Sequence, residues 1–137
     1  MSKRDWLLIA IGSYIEPIQL QKTLFKFAKE AGAPVSERYR FIAYNWGPCS
    51  TQIYKDLEQV REEGLVEFVR TGRGWSAYRL TEAGEEAVRR LRNEASGALL
   101  QRLDEIKNWV AERPFGKLLR DVYAEYPRYA TRSLFEK

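Results

Sequence analysis

The stretch from Ser50 to Leu80 constrains the fold more than any other part of this chain. Ser50 is a residue type that favours the position just before a helix, and apolar residues recur at helical spacing after it. Gly64 follows the last helical residues, where a left-handed backbone often ends a helix. The pattern predicts a helix, a strand, a short basic turn and a returning strand, over residues 51–63, 65–70, 71–74 and 75–80.

Five further helices are predicted on either side of this segment from apolar periodicity, helix caps and prolines. They cover residues 5–14, 18–31, 82–93, 96–113 and 115–126. Residues 33–49 form a long connection, in which residues 39–44 favour an extended segment and residues 45–48 favour a turn. The chain is therefore predicted to be α+β and mostly helical.

Polar residues of the second predicted helix lie away from its apolar stripe. They are Gln19, Lys22, Lys26 and Lys29. A polar face of an amphipathic helix is normally turned to water. We expect these side chains to form either a solvated face or an edge that meets phosphates.

The composition of the 137-residue chain argues against an enzyme. The chain has no histidine and a single cysteine, Cys49, which removes the usual general base, His-dependent nucleophiles and zinc sites built from these residues. Adjacent carboxylates such as Glu62 and Glu63 point about 100° apart on a helix, so they do not converge on a substrate. We expect no catalytic residue, no metal and no cofactor.

Charge and hydropathy set the expected environment. A net charge of +4 and a pI near 9.2 are compatible with a surface that contacts phosphates. The longest apolar run, residues 6–11, is too short for a membrane span or a signal peptide. A lone cysteine suits a reducing compartment, so we expect a cytoplasmic protein that does not enter a membrane.

A helix followed by a two-stranded hairpin with a basic tip is typical of the reading half of a winged helix-turn-helix. In helix-turn-helix proteins the first turn of the recognition helix meets base edges in the major groove, while other contacts go to phosphates. The sequence therefore predicts a site for double-stranded DNA, made of Ser50, Thr51, Gln52, Lys55, Arg70, Arg73 and Arg79. Asp56 is unfavourable so close to phosphates, and Arg73 could instead serve only to solubilise the turn.

The predicted organisation is a winged-helix domain over residues 1–95 with a helical extension over residues 96–137. The C-terminal helices exceed what a minimal winged helix needs. They would either join two copies, with two recognition helices about one DNA turn apart, or fold back and complete the core of their own domain. We expect a homodimer.

Five blocks of the sequence suggest a known family: PIQLQKTLF at 17–25, YNWGPCS at 44–50, EGLV at 63–66, YRLTEAG at 78–84 and VYAEYPRYA at 122–130. With them the chain resembles the winged-helix superfamily and, more narrowly, the SocA-like Panacea domain and the related YwgA-like proteins. The resemblance implies an alternative function, that of an antitoxin or proteolytic adaptor acting through contact with a protein partner. Aromatic residues, 13% of the chain, would suit such an interface.

Overall fold

The computed structural model describes residues 1–135. This part of the chain holds six α-helices and two antiparallel hairpins, which confirms the prediction of a mostly helical α+β chain. The helices are α1 (Lys3–Ile11), α2 (Pro17–Glu30), α3 (Thr51–Glu62), α4 (Glu82–Glu94), α5 (Gly97–Ala111) and α6 (Phe115–Glu125). The strands are β1 (Ile42–Tyr44), β2 (Gly47–Cys49), β3 (Val66–Arg70) and β4 (Ser76–Leu80). No helix among the described residues is both long enough and apolar enough to cross a membrane.

Local capping signals explain where most helices begin and end. The Thr81 hydroxyl accepts a hydrogen bond from the Gly84 amide at 3.1 Å at the start of α4. Gly64 follows α3 with a φ of 76°, a conformation that favours glycine. Helix α1 ends at Ile11, before its predicted end, because Gly12 leaves the helical conformation with a φ of 59°.

The connection between α2 and α3 is more ordered than predicted. Strands β1 and β2 pair with Tyr44 opposite Gly47 across a tight turn. A Cβ atom on Gly47 would lie only 2.9 Å from the ring of Tyr123, so a side chain there would collide with α6. The extended segment and the turn were predicted. The pairing of β1 with β2 was not predicted, because Gly47 and Pro48 are poor strand residues.

The second hairpin is tied to the first half of the chain. Strands β3 and β4 pair with Val66 opposite Leu80 and Arg70 opposite Ser76. Ile15, between α1 and α2, forms an antiparallel bridge with Tyr78, in which both amides donate at 2.9 Å. The bridge fixes the position of the hairpin relative to α1 and α2.

Helix α2 lies at the centre of the fold. Every residue from Leu20 to Ala28 is buried, and α2 contacts α1, α5, β2 and β4. The expected solvated or phosphate-facing side of α2 is wrong for Lys22 and Lys26, which are only 1% and 4% exposed. Gln19 is half-buried and Lys29 alone among the four is exposed. The segments that contact Lys22 and Lys26 and help to bury them are distant in the sequence, and they include Pro48 and Glu125.

Lys26 is buried together with partners that offset its charge. Its Nζ lies 2.6 Å from a carboxylate oxygen of Glu125 and 3.3 Å from one of Glu30. It also lies 3.7 Å from the ring centroid of Trp109. Opposite charges and the face of an aromatic ring together compensate the loss of water around an ammonium.

Helices α5 and α6 pack against the helices that precede them in the chain. Five of their buried residues belong to the same core cluster as side chains of α1, α2 and α3: Leu103, Ile106, Val110, Leu118 and Val122. This is the folding-back arrangement that the sequence left open beside dimerisation. The homodimer itself stays a prediction, and residues 136–137 of the predicted extension lie outside the described residues.

Helix α3 begins at Thr51, as predicted, but Ser50 does not cap it with its side chain. Ser50 is 2% exposed, and its hydroxyl has no hydrogen-bond partner within residues 1–135. Gln21 instead holds the backbone of Ser50. The Ser50 amide donates to Gln21 Oε1 at 2.9 Å, and Gln21 Nε2 donates to the Ser50 carbonyl at 3.1 Å.

We predict that Gln21→Ala lowers the free energy of unfolding by about 2 to 4 kcal/mol, because it leaves a buried amide and a buried carbonyl of Ser50 without partners. Chemical denaturation measures the change. Gln101→Ala, on the exposed side of α5, is the matched control and should cost less than about 0.5 kcal/mol. Equal effects of the two substitutions would show that Gln21 does not hold the start of α3.

Candidate functional site

The first turn of α3 presents polar side chains to solvent. Thr51, Gln52 and Lys55 are exposed, while Ile53 and Leu57 on the opposite side are 0% and 1% exposed. Three of the four residues predicted to read DNA from this helix therefore reach the surface. Ser50 does not belong to this surface, because its side chain is enclosed by the protein and its backbone is bound by Gln21.

The three predicted arginines of the β3–β4 hairpin are all exposed but do not act alike. Arg79 pairs with Glu67, which lies directly across the strand pair. Because neighbouring side chains along a strand point to opposite faces, Arg70 lies on the face opposite to Arg79. Arg70 makes no ion pair within the described residues. The hairpin thus separates Arg79 from the rest of the predicted site.

The tip of the hairpin bends back to the start of α2. Arg73 pairs with the carboxylate of Glu16, and Trp75 Nε1 donates to the same carboxylate at 3.1 Å. The Arg73 guanidinium also lies 5.0 Å from the centroid of the Trp75 ring. In this state Arg73 has a protein counter-charge, which it would have to give up to meet a phosphate.

The carboxylate of Asp56, unfavourable for DNA in the sequence, is held by two donors. Tyr39 Oη donates to it at 2.7 Å and Gln52 Nε2 donates at 3.1 Å. The pKa of Tyr39 is raised by burial and by this carboxylate. Asp56 therefore ties α3 to Tyr39, and it also orients the side chain of Gln52.

An open cleft of about 860 Å³ lies beside the first turn of α3. It is bounded by the start of α2, the β1–β2 hairpin, the tip of the β3–β4 hairpin and the start of α6. Five of its aromatic side chains are 42–49% exposed: Tyr44, Trp46, Tyr54, Trp75 and Phe115. We call it the aromatic cleft. Thr51 and Arg73 also line it, so it adjoins the predicted DNA surface.

Lys22 forms part of the wall of the aromatic cleft. Its Nζ donates to the Pro48 carbonyl at 3.0 Å, and it forms no ion pair with a carboxylate within residues 1–135. Burial lowers the pKa of this ammonium to about 7, with a smaller opposite effect from the nearby Cys49. Lys22 is thus a buried amine whose charge is not balanced by the protein.

The Cys49 thiol is half-buried beside the cleft. Burial raises the pKa of the Cys49 thiol, which keeps it protonated at neutral pH and weak as a nucleophile. Among the residues that the structure describes, no group of three or more Cys, Asp or Glu side chains is placed to hold a metal ion.

The sequence placed Lys22 only on a solvated or phosphate-facing side of α2, and it did not indicate that the aromatic residues come together. Lys22 lies among polar residues on a helix that looked amphipathic, so no local signal marked it as buried. Tyr44, Trp46, Tyr54 and Phe115 come from three separate segments, and only the packing of those segments brings them to one cleft.

Comparisons of the chain with protein-family models, with curated proteins and with solved structures found no match. Functional conclusions therefore depend on the geometry of the two adjoining features. One is the exposed first turn of α3 with the arginine-tipped hairpin. The other is the aromatic cleft with Lys22 in its wall.

We predict that Lys22→Met makes the protein more stable than the wild type at about pH 6, and that this advantage shrinks as the pH rises. The pKa of Lys22 is about 7 in the folded chain, below its ordinary value of 10.5. Between these values the unfolded chain binds one more proton, so the wild type gains stability with increasing pH, by about 1.4 kcal/mol per pH unit.

The measurement is the free energy of unfolding of both proteins from about pH 6 to pH 10, taken as a difference so that other titrating groups cancel. Lys29→Met, on the exposed end of the same helix, should give a difference that is flat with pH. A flat difference for Lys22→Met as well would mean that Lys22 keeps its ordinary pKa.

Proposed function

We propose that this protein is a winged helix-turn-helix DNA-binding protein that acts in transcriptional control. The first turn of α3 would enter the major groove, and the β3–β4 hairpin would contact the flanking backbone. The observation that carries the proposal is the outward position of Thr51, Gln52 and Lys55 beside an arginine-tipped hairpin. Thr51 and Arg73 line one cleft, so the helix and the hairpin are close neighbours.

The order of elements supports the same proposal. A helix, a single bridging residue, two more helices and a hairpin follow one another, and Ile15 bridges to Tyr78 of β4 as a short third strand would. The β1–β2 hairpin is an addition, because a tight helix-turn-helix connects its two helices with three or four residues. Since that hairpin packs against α2 and α6, it leaves the first turn of α3 exposed.

The charges of this surface favour weak, electrostatically modest binding. Lys55 and Arg70 form no ion pair among the described residues, whereas Arg73 and Arg79 are each paired with a glutamate. Contact with about three or four phosphates would give a shallow salt dependence, with a slope near about −3. A twofold homodimer, which we also propose, would place two α3 helices about one DNA turn apart and add to this affinity.

We predict that Arg73→Glu abolishes retention of the protein on double-stranded DNA and leaves its melting temperature nearly unchanged. The substitution reverses the charge at the tip of the hairpin, while an exposed ion pair contributes little to folding. Fluorescence anisotropy with a labelled duplex at low salt measures the retention. Arg90→Glu, an equal charge change on the exposed side of α4, is the control; equal loss with both variants, or unaltered retention with Arg73→Glu, would contradict the proposed surface.

We predict that Glu16→Gln strengthens DNA binding by about two- to tenfold, because it removes the carboxylate that pairs with Arg73. The amide has nearly the size of the carboxylate, and its oxygen can still accept the hydrogen bond from Trp75 Nε1. Glu86→Gln, which frees Arg89 on α4, makes the same charge change elsewhere. The two variants are compared by the same anisotropy titration, and weaker binding by Glu16→Gln would count against a role for Arg73 in holding phosphate.

A further inference from the structure

The aromatic cleft has the dimensions and lining of a small-molecule site. Its volume of about 860 Å³ falls within the range of about 300–1,000 Å³ that is usual for ligand pockets. Of the ten large apolar side chains that are exposed in the described chain, six line this cleft, and five of those six are aromatic. Their rings are already gathered around one space, so a flat ring that enters it would cover apolar surface without a large rearrangement.

The charged groups of the cleft favour an anion. Lys22, Arg73 and Arg113 line it against one carboxylate, that of Glu16. Arg73 is paired with Glu16, and Arg113 is paired with Asp121 at 2.8 Å. Lys22 is the lining cation that has no carboxylate partner among residues 1–135. A cation in the cleft would add to the unbalanced positive charge of Lys22, whereas a carboxylate would balance it.

Lys26 provides an internal comparison for Lys22, one helical turn away on α2. Both ammonium groups are almost fully buried. The protein supplies Lys26 with Glu125, Glu30 and the face of Trp109. Lys22 receives only the Pro48 carbonyl, which uses one of the three donors of an ammonium. Burying an unpaired ammonium is costly, which is why the pKa of Lys22 falls to about 7. A negative group from outside the chain would supply the missing counter-charge and favour the protonated form.

The backbone around the cleft is also favourable to a negative group. The residues that precede α3 and α6, Ser50 and Pro114, form no side-chain hydrogen bond to the helices that they introduce. The first residues of those helices, Thr51 and Phe115, line the cleft. Helix N-termini carry a partial positive charge, so two of them add to the attraction of an anion near Lys22.

We propose that the aromatic cleft binds a planar aromatic carboxylate, with its ring among the exposed aromatic side chains and its carboxylate directed at the Lys22 ammonium. The aromatic part follows from Tyr44, Trp46 and the other rings of the cleft. The carboxylate follows from the unbalanced charge in its wall. The proposal concerns this ligand site alone and does not depend on DNA binding.

Three probes separate the parts of the proposal. Isothermal titration calorimetry of the full chain with naphthoate should give saturable one-to-one binding. Naphthamide, which has the same ring without the charge, should bind at least about tenfold more weakly, as expected for the loss of a charge-assisted contact. Decanoate, a carboxylate without a ring, should also bind at least about tenfold more weakly, because it cannot stack on the rings.

Variants locate the site. Lys22→Met should remove the preference for naphthoate over naphthamide, and Lys29→Met on the same helix should keep it. In an amide-detected NMR titration with naphthoate, the indole signals of Trp46 and Trp75 should shift, while those of Trp6 and Trp109, outside the cleft, should not. Trp46→Leu should weaken the binding of naphthoate and of naphthamide by the same factor. This variant tests the ring part of the site and leaves Lys22 unchanged.

Four results would each overturn the proposal. They are the absence of naphthoate binding, equal affinity for naphthoate and naphthamide, equal affinity for naphthoate and decanoate, and an unchanged preference in Lys22→Met. Binding that shifts Trp6 or Trp109 in place of Trp46 and Trp75 would place the ligand elsewhere and overturn it as well.

Discussion

The complete burial of the middle of α2 is the constraint on which the rest of this structure depends. Leu20 to Ala28 has no exposed residue, although it includes polar and charged side chains. The three longest of these polar side chains each form hydrogen bonds to a different element of the fold. Gln21 fixes the backbone at the start of α3, Lys22 binds the carbonyl of Pro48 in β2, and Lys26 reaches Glu125 at the end of α6.

This arrangement places the two candidate features side by side. Because Gln21 secures Ser50, the first turn of α3 projects from a rigid base, and its polar residues face outward. Because Lys22 holds β2 at the carbonyl of Pro48, the β1–β2 hairpin forms one wall of the aromatic cleft. Thr51 and Arg73 belong to both features.

Much of the local structure was predictable because its signals are local. The helix at Thr51, the stop at Gly64 and the cap at Thr81 each depend on residues within one turn, and all lie where the sequence places them. The β1–β2 pairing was missed, since it joins residues with low strand propensity that are held by α2 and α6. The burial of Lys22 and Lys26 was missed for a related reason, because the partners of Lys26 come from as far along the chain as Glu125.

The sequence by itself determined the succession of helices and hairpins, since capping residues, glycines and apolar spacing act over a few residues. It also determined which residues of α3 face outward, because Ile53 and Leu57 fix the buried side of that helix. Only the tertiary structure decided that α2 is enclosed, that five aromatic side chains meet in one cleft, and that Glu16 neutralises Arg73. Those outcomes depend on contacts between distant segments, whose partners no local pattern specifies.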